Sequence, residues 1–198
     1  MYNLQEIYKI ITETLNDIPN SQVVIAGGAV RDTLMGREPK DFDVFILNGN
    51  YNYIYSDEEE KSFIDSIKNK LNNFKKVDIK LEWHKSEPFL IESIYINSDM
   101  QEIQIMVSPH PNINKLLDSF DWNISLFAYD GKNFYQRELI SEIAEGKYLK
   151  LQNCLFPYST LRRGYRFSER FKMRLETKDI NLICNEIIKL NNKTSKDE

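Results

Sequence analysis

Two aspartates separated by one phenylalanine, Asp41 and Asp43, follow a Gly27-Gly28 pair and an Arg31-Asp32 pair by about a dozen residues. On a strand, side chains at i and i+2 point to the same face, so both carboxylates meet one ligand. Paired carboxylates suit Mg²⁺, a hard cation that completes its shell with nucleotide phosphates and water. Glycines at a strand end let the backbone approach a ligand with no Cβ in the way, and a helix that follows them offers N–H groups to phosphate. The segment from Gly27 to Leu47 therefore reads as a cradle for a metal-bound triphosphate.

The elements that must position this cradle are legible around it. Leu4, Ile7, Ile11, Leu15 and Ile18 recur at helical spacing and predict a buried helix face ending before Pro19. "SQVVIAGG" reads as a buried strand running into the glycines, residues 29–35 as a short helix closed by Gly36, and "FDVFIL" as a second strand. Residues 57–74 place Phe63, Ile64, Ile67, Leu71 and Phe74 on one helical face. "VDIKLEW", "FLIESIYI" and "EIQIMV" then read as strands. From Ser159 onward the pattern is helical, with the basic, aromatic-laced run "LRRGYRFSERFKMR".

Composition bounds the class. Hydrophobic residues at 41% and charged residues at 28% describe a globular chain with a real core, and 198 residues exclude a large multidomain machine. A formal net charge of −4 argues against sequence-blind wrapping of nucleic acid while allowing a local basic patch. Cys154 and Cys184 stand far apart and away from histidines, which argues against a disulfide framework or a zinc site and for a reduced, cytoplasmic setting. No apolar run is long enough for a membrane span, and the N-terminus reads as an amphipathic helix instead of a signal peptide. His84 and His110 lack partners at ligand spacing, Trp83 and Trp122 read as core, and Arg162, Arg170, Lys172 and Arg174 read as solvated surface charge, with an RNA-facing patch as the other reading.

The string Gly27, Gly28, Val30, Arg31, Asp32, Leu34, Gly36, Arg37, Asp41, Asp43 resembles the signature of the class II tRNA nucleotidyltransferase (CCA-adding enzyme) and bacterial poly(A) polymerase head, within the polymerase-β-like nucleotidyltransferase superfamily. The resemblance covers roughly residues 20 to 175 and is strongest at the front. It implies an α/β (α+β) fold, a polymerase-β-like nucleotidyltransferase core with a mixed sheet flanked by helices and a short C-terminal helical neck. The expected division is a head over residues 1–155 and a neck-like extension over 156–198.

The implied activity is transfer of NMP from an NTP to an acceptor hydroxyl, most naturally an RNA 3′ end such as that of tRNA. Asp41 and Asp43 would be catalytic and would hold two Mg²⁺ ions, with Gly27, Gly28 and Arg31 on the nucleotide. The superfamily's third carboxylate falls either on Glu102 or, by the better alignment, on the position of Gln104, where it would be lost.

In "SFDWNISLFAYDG", Asp121, Ile124, Ala128 and Tyr129 match the family's next block, whereas Ser119 and Phe120 replace its two arginines and Ser125 its asparagine. Asp121 is carried over as a nucleotide contact. In the last block Arg163 and Arg166 match the two later arginines and are carried over as nucleotide contacts, while Phe156, Pro157 and Thr160 stand where the family has Glu, Asp and its first Arg. With those base-reading groups replaced, an altered nucleotide choice is implied. Two alternatives stand beside this reading: nucleotidyl transfer to a protein or small molecule, and a catalytically weak nucleotide- or RNA-binding module.

Overall fold

The computed structural model describes residues 3–15, 21–48, 78–80, 92–97, 102–108, 110–137 and 147–194, with isolated positions 65, 69, 141, 143 and 145. Helix α1 (Leu4–Thr14) starts on a capping box: Asn3 Oδ1 accepts the Glu6 N–H at 3.0 Å, and Glu6 accepts the Asn3 N–H at 2.8 Å. Leu4, Ile7, Ile11 and Leu15 form its buried face, each fully buried side chain stabilising by roughly 1.5–3 kcal/mol. Ile18 and Pro19 lie outside the described residues.

Strand β1 (Ser21–Ala26) leads through Gly27 into α2 (Gly28–Leu34), and β2 (Asp41–Asn48) follows. Val23–Ala26 and Val44–Leu47 are buried along their length, as expected of central strands covered on both faces. Beyond them come β3 (Asp78–Lys80), β4 (Glu92–Asn97), β5 (Glu102–Ser108), α3 (Ile113–Asp118), a 3₁₀ turn at Asn123–Ser125, β6 (Phe127–Tyr129) and β7 (Phe134–Gln136). The helix expected over 57–74 lies outside the described residues except for Asp65 and Asn69, which are helical; Trp83 and His84 also lie outside them.

Among the described residues seven strands form one sheet in the order β3-β4-β5-β2-β1-β6-β7. β2 pairs parallel with β5, while the β1–β2, β1–β6, β4–β5 and β3–β4 pairs are antiparallel, so the sheet is mixed and flanked by helices as expected. The C-terminal part adds β8 (Tyr148–Leu149), α4 (Pro157–Phe171), β9 (Arg174–Leu175) and α5 (Thr177–Thr194). The small parallel β8–β9 sheet has no counterpart in the sequence pattern, because two-residue strands leave no period to read.

The chain divides into two compact units. One comprises Met1–Leu116 with Phe127–Tyr135, the other Leu117–Leu126 with Gln136–Glu198. In the second unit Gly164 of α4 sits against Trp122, where an added Cβ would come within 2.5 Å of Cζ2. Trp122 is fully buried, the core residue expected, and donates from Nε1 to the Thr160 carbonyl at 2.9 Å.

Candidate active site

In the first unit the turn after β1 is set by Gly27, with φ 78° and ψ −133°, a conformation only glycine adopts without strain. Its N–H donates to the Phe127 carbonyl at 2.7 Å, and its carbonyl accepts the Arg31 N–H. Ala26 pairs with Asp43 across β1–β2, so the Gly27 turn leaves the sheet beside the aspartates.

Along β2 Asp41 is exposed and Asp43 half-buried, while Phe42 between them is fully buried on the opposite face. The two carboxylates thus leave one face, with backbones roughly 6.5 Å apart by strand rise. The parallel β2–β5 register sets Glu102 directly beside Asp41 and Gln104 beside Asp43, about 4.8 Å away by strand spacing. Both positions considered for a third ligand therefore lie on the aspartate face, a carboxylate beside one aspartate and a carboxamide beside the other.

Among the described residues no group of three or more His, Cys, Asp and Glu side chains is gathered as a metal cage. The Asp41–Asp43 donor set instead fits Mg²⁺ in the mode in which one or two carboxylates share the ion with substrate phosphates.

Arg31, expected on the nucleotide, is enclosed beneath the turn. Its side chain is 2% exposed, and Nε and Nη2 both lie 2.8 Å from Oδ1 of Asp32, itself buried. The guanidinium lies close under the turn, 3.4 Å from where a Cβ on Gly28 would stand. In this conformation Arg31 and Asp32 brace the turn from inside. Asp32 was legible only as part of the signature string, since adjacency in sequence does not reveal a shared burial.

In the second unit Asp121 and Arg163 are brought together, but on each other. Nε and Nη2 of Arg163 both lie 2.6 Å from the largely buried Asp121 Oδ2. Arg166, one turn later on α4, is exposed, its guanidinium carbon 5.6 Å from the Phe167 ring centroid. Thr160, standing where the resemblance expects an arginine, is wholly buried, and its Oγ1 lacks a hydrogen-bond partner. Asp179, which sequence reasoning passed over, is buried and accepts the Leu151 N–H at 3.1 Å; an acid in a helix's first turn gave the only hint.

A model of the Gabija anti-defense 2 family matches residues 3–145. The chain belongs to the Gabija anti-defense 2 family. No curated protein matches this family member. Among solved structures it resembles a CCA-adding enzyme in complex with CTP, at 20% identity and TM-score 0.60, covering 91% of this chain and 41% of that one. A Thermotoga maritima CCA-adding enzyme complexed with tRNA aligns at 19% identity and TM-score 0.59, over 89% of this chain and 40% of its own. A tRNA-processing enzyme in an apo form aligns at 16% identity and TM-score 0.60, over 94% and 47%. The likeness is one of fold: this member of the Gabija anti-defense 2 family shares the fold of these structures, and it spans about two fifths of the length of the first two. Among the described residues no helix is long and apolar enough to cross a membrane.

Proposed function

We propose that the chain is a metal-dependent nucleotidyltransferase that moves NMP from an NTP to an acceptor hydroxyl, with an RNA 3′ end as the acceptor and an altered nucleotide choice. The observation that carries this is the placement of Asp41 and Asp43 on one face of a central strand, with the Gly27 turn paired in beside them. Asp41 and Asp43 would hold Mg²⁺, which when bound neutralises the triphosphate and lowers the pKa of the attacking hydroxyl.

The chain's own groups supply position. The Gly27–Gly28 backbone, free of side chains, admits the phosphates closely, and the buried Arg31–Asp32 pair keeps that turn in place. Glu102, beside Asp41, is the carboxylate positioned to accept the acceptor's proton, while Gln104 adds no charge beside Asp43. Arg163 holds Asp121 through Nε and Nη2.

The CTP and tRNA held by the structural neighbours support an NTP and an RNA as partners. Thr160 in place of an arginine supports a departure from their nucleotide choice. A protein acceptor is the second reading, compatible with the family's anti-defense description.

Each of the four NTPs, radiolabelled at the α-phosphate, is incubated with Mg²⁺ and either total RNA or total protein. Incorporation into RNA is expected, and the Asp41→Ala/Asp43→Ala variant should lose it. Undiminished labelling by that variant refutes the assignment, and labelling confined to protein moves the acceptor to the second reading.

A further inference from the structure

Helix α4 carries an outward face of aromatic and basic side chains. Tyr158 and Tyr165 are 57% and 52% exposed, unusual for residues that bury well, and seven positions apart they lie within about 20° of each other around the helix. Arg162 falls between them on the same stripe, Arg166 at its margin, and both are exposed. The tyrosines are separated by roughly 10 Å along the axis, so one base cannot cover both.

Two details make this face a built surface. The Tyr158 hydroxyl donates to Asn191 Oδ1 of α5 at 2.8 Å, which fixes the ring while leaving it open. Arg166 and Arg170 are each held over the ring of the following phenylalanine, with guanidinium carbons 5.6 and 5.1 Å from the Phe167 and Phe171 centroids. The charge is local. Four arginines against one glutamate give α4 a net +3, whereas the whole chain carries −4.

Flat rings, one of them fixed in place, alternating with guanidinium groups match the alternation of bases and phosphates in an unpaired strand. We infer that the exposed face of α4 bearing Tyr158, Arg162, Tyr165 and Arg166 binds single-stranded RNA, the tyrosines stacking on bases and the arginines meeting phosphates. This rests on the reading of RNA as the acceptor and adds where its strand is held. A duplex keeps its bases stacked inside and offers this face only phosphates, so unpaired RNA binds preferentially.

The test is fluorescence anisotropy of the full chain with a 5′-fluorescein-labelled oligouridylate of about 12 nucleotides, and with the same length as duplex. The wild type is expected to bind the single strand more tightly than the duplex. Tyr158→Ala and Tyr165→Ala should each weaken single-strand binding about tenfold, while Tyr165→Phe, which keeps the ring, stays within about twofold. Arg162→Gln should lower the salt slope by about one. Thermal melts accompany each variant, and the Tyr165→Phe to Tyr165→Ala contrast keeps the ring's role testable if Tyr158→Ala unfolds.

Unchanged affinity in a folded Tyr165→Ala variant overturns the inference, as does equal binding to duplex. Self-association of the wild type that Tyr165→Ala abolishes also overturns it, since the face is then a protein interface. The two readings separate cleanly. Tyrosine-dependent RNA binding with labelling confined to protein sinks the acceptor assignment and supports the surface; RNA labelling with tyrosine-independent binding does the reverse.

Discussion

Replacing Arg31 by methionine removes the guanidinium that lies 2.8 Å from the Asp32 carboxylate while keeping much of the side chain's apolar volume. Both side chains are at most 4% exposed, so water does not readily replace the lost partner. Breaking a buried ion pair from one side costs roughly 3–5 kcal/mol, because the remaining charge keeps its desolvation penalty. That is a large share of the roughly 5–15 kcal/mol by which a domain is stable. For a chain of this size it corresponds to a fall in Tm of about 6–20 °C.

Replacing both partners, Arg31→Met with Asp32→Leu, removes the penalty together with the attraction, and such exchanges are often close to neutral. Urea denaturation followed by circular dichroism on the wild type, both single variants and the double variant gives the coupling directly. The expected pattern is a costly Arg31→Met and a double variant that recovers most of the loss. A cost under about 1 kcal/mol, or a double variant no better than the single, refutes the bracing role. Weakened NTP binding with unchanged stability would instead put the guanidinium on the nucleotide.

Two further predictions concern groups away from the turn. Thr160 Oγ1 is buried without a hydrogen-bond partner, so Thr160→Val should raise stability by about 1 kcal/mol, read as a higher urea midpoint; a loss above that size would mean the hydroxyl is satisfied. Burial pushes Asp130 upward, but the Asn133 N–H, the Tyr135 hydroxyl, the Lys132 N–H and the Asn133 amide together hold its carboxyl at about 2, below the ordinary 3.8. A depressed carboxylate stabilises above its unfolded pKa and loses that contribution as pH falls through the folded one. Asp130→Asn should therefore cost stability at about pH 6 and less at about pH 2.5, and an equal cost at both would refute the assignment.

Local pattern was enough for the front half of the site. The i, i+3, i+4 spacing of Leu4, Ile7, Ile11 and Leu15, the apolar runs of β1 and β2, and glycine's freedom at the turn between them are properties of neighbouring residues. So is the shared face of Asp41 and Asp43, which follows from the two-residue period of any strand.

What the chain does with more distant residues was not legible in this way. Setting Glu102 beside Asp41 and Gln104 beside Asp43 takes the parallel pairing of β2 with β5, whose register depends on the packing of a whole sheet. Arg31 reads as a ligand group in a motif, and its burial against Asp32 exists only in the folded chain. Asp121 and Arg163, 42 positions apart, show no link in the sequence and are found bonded to each other, and the complete burial of Thr160 likewise belongs to the folded chain. Residue type and short-range period determine which side chains can do chemistry and which face of an element bears them; solvent exclusion and long-range register, which exist only once the chain has closed on itself, decide whether each one meets a ligand or another part of the protein.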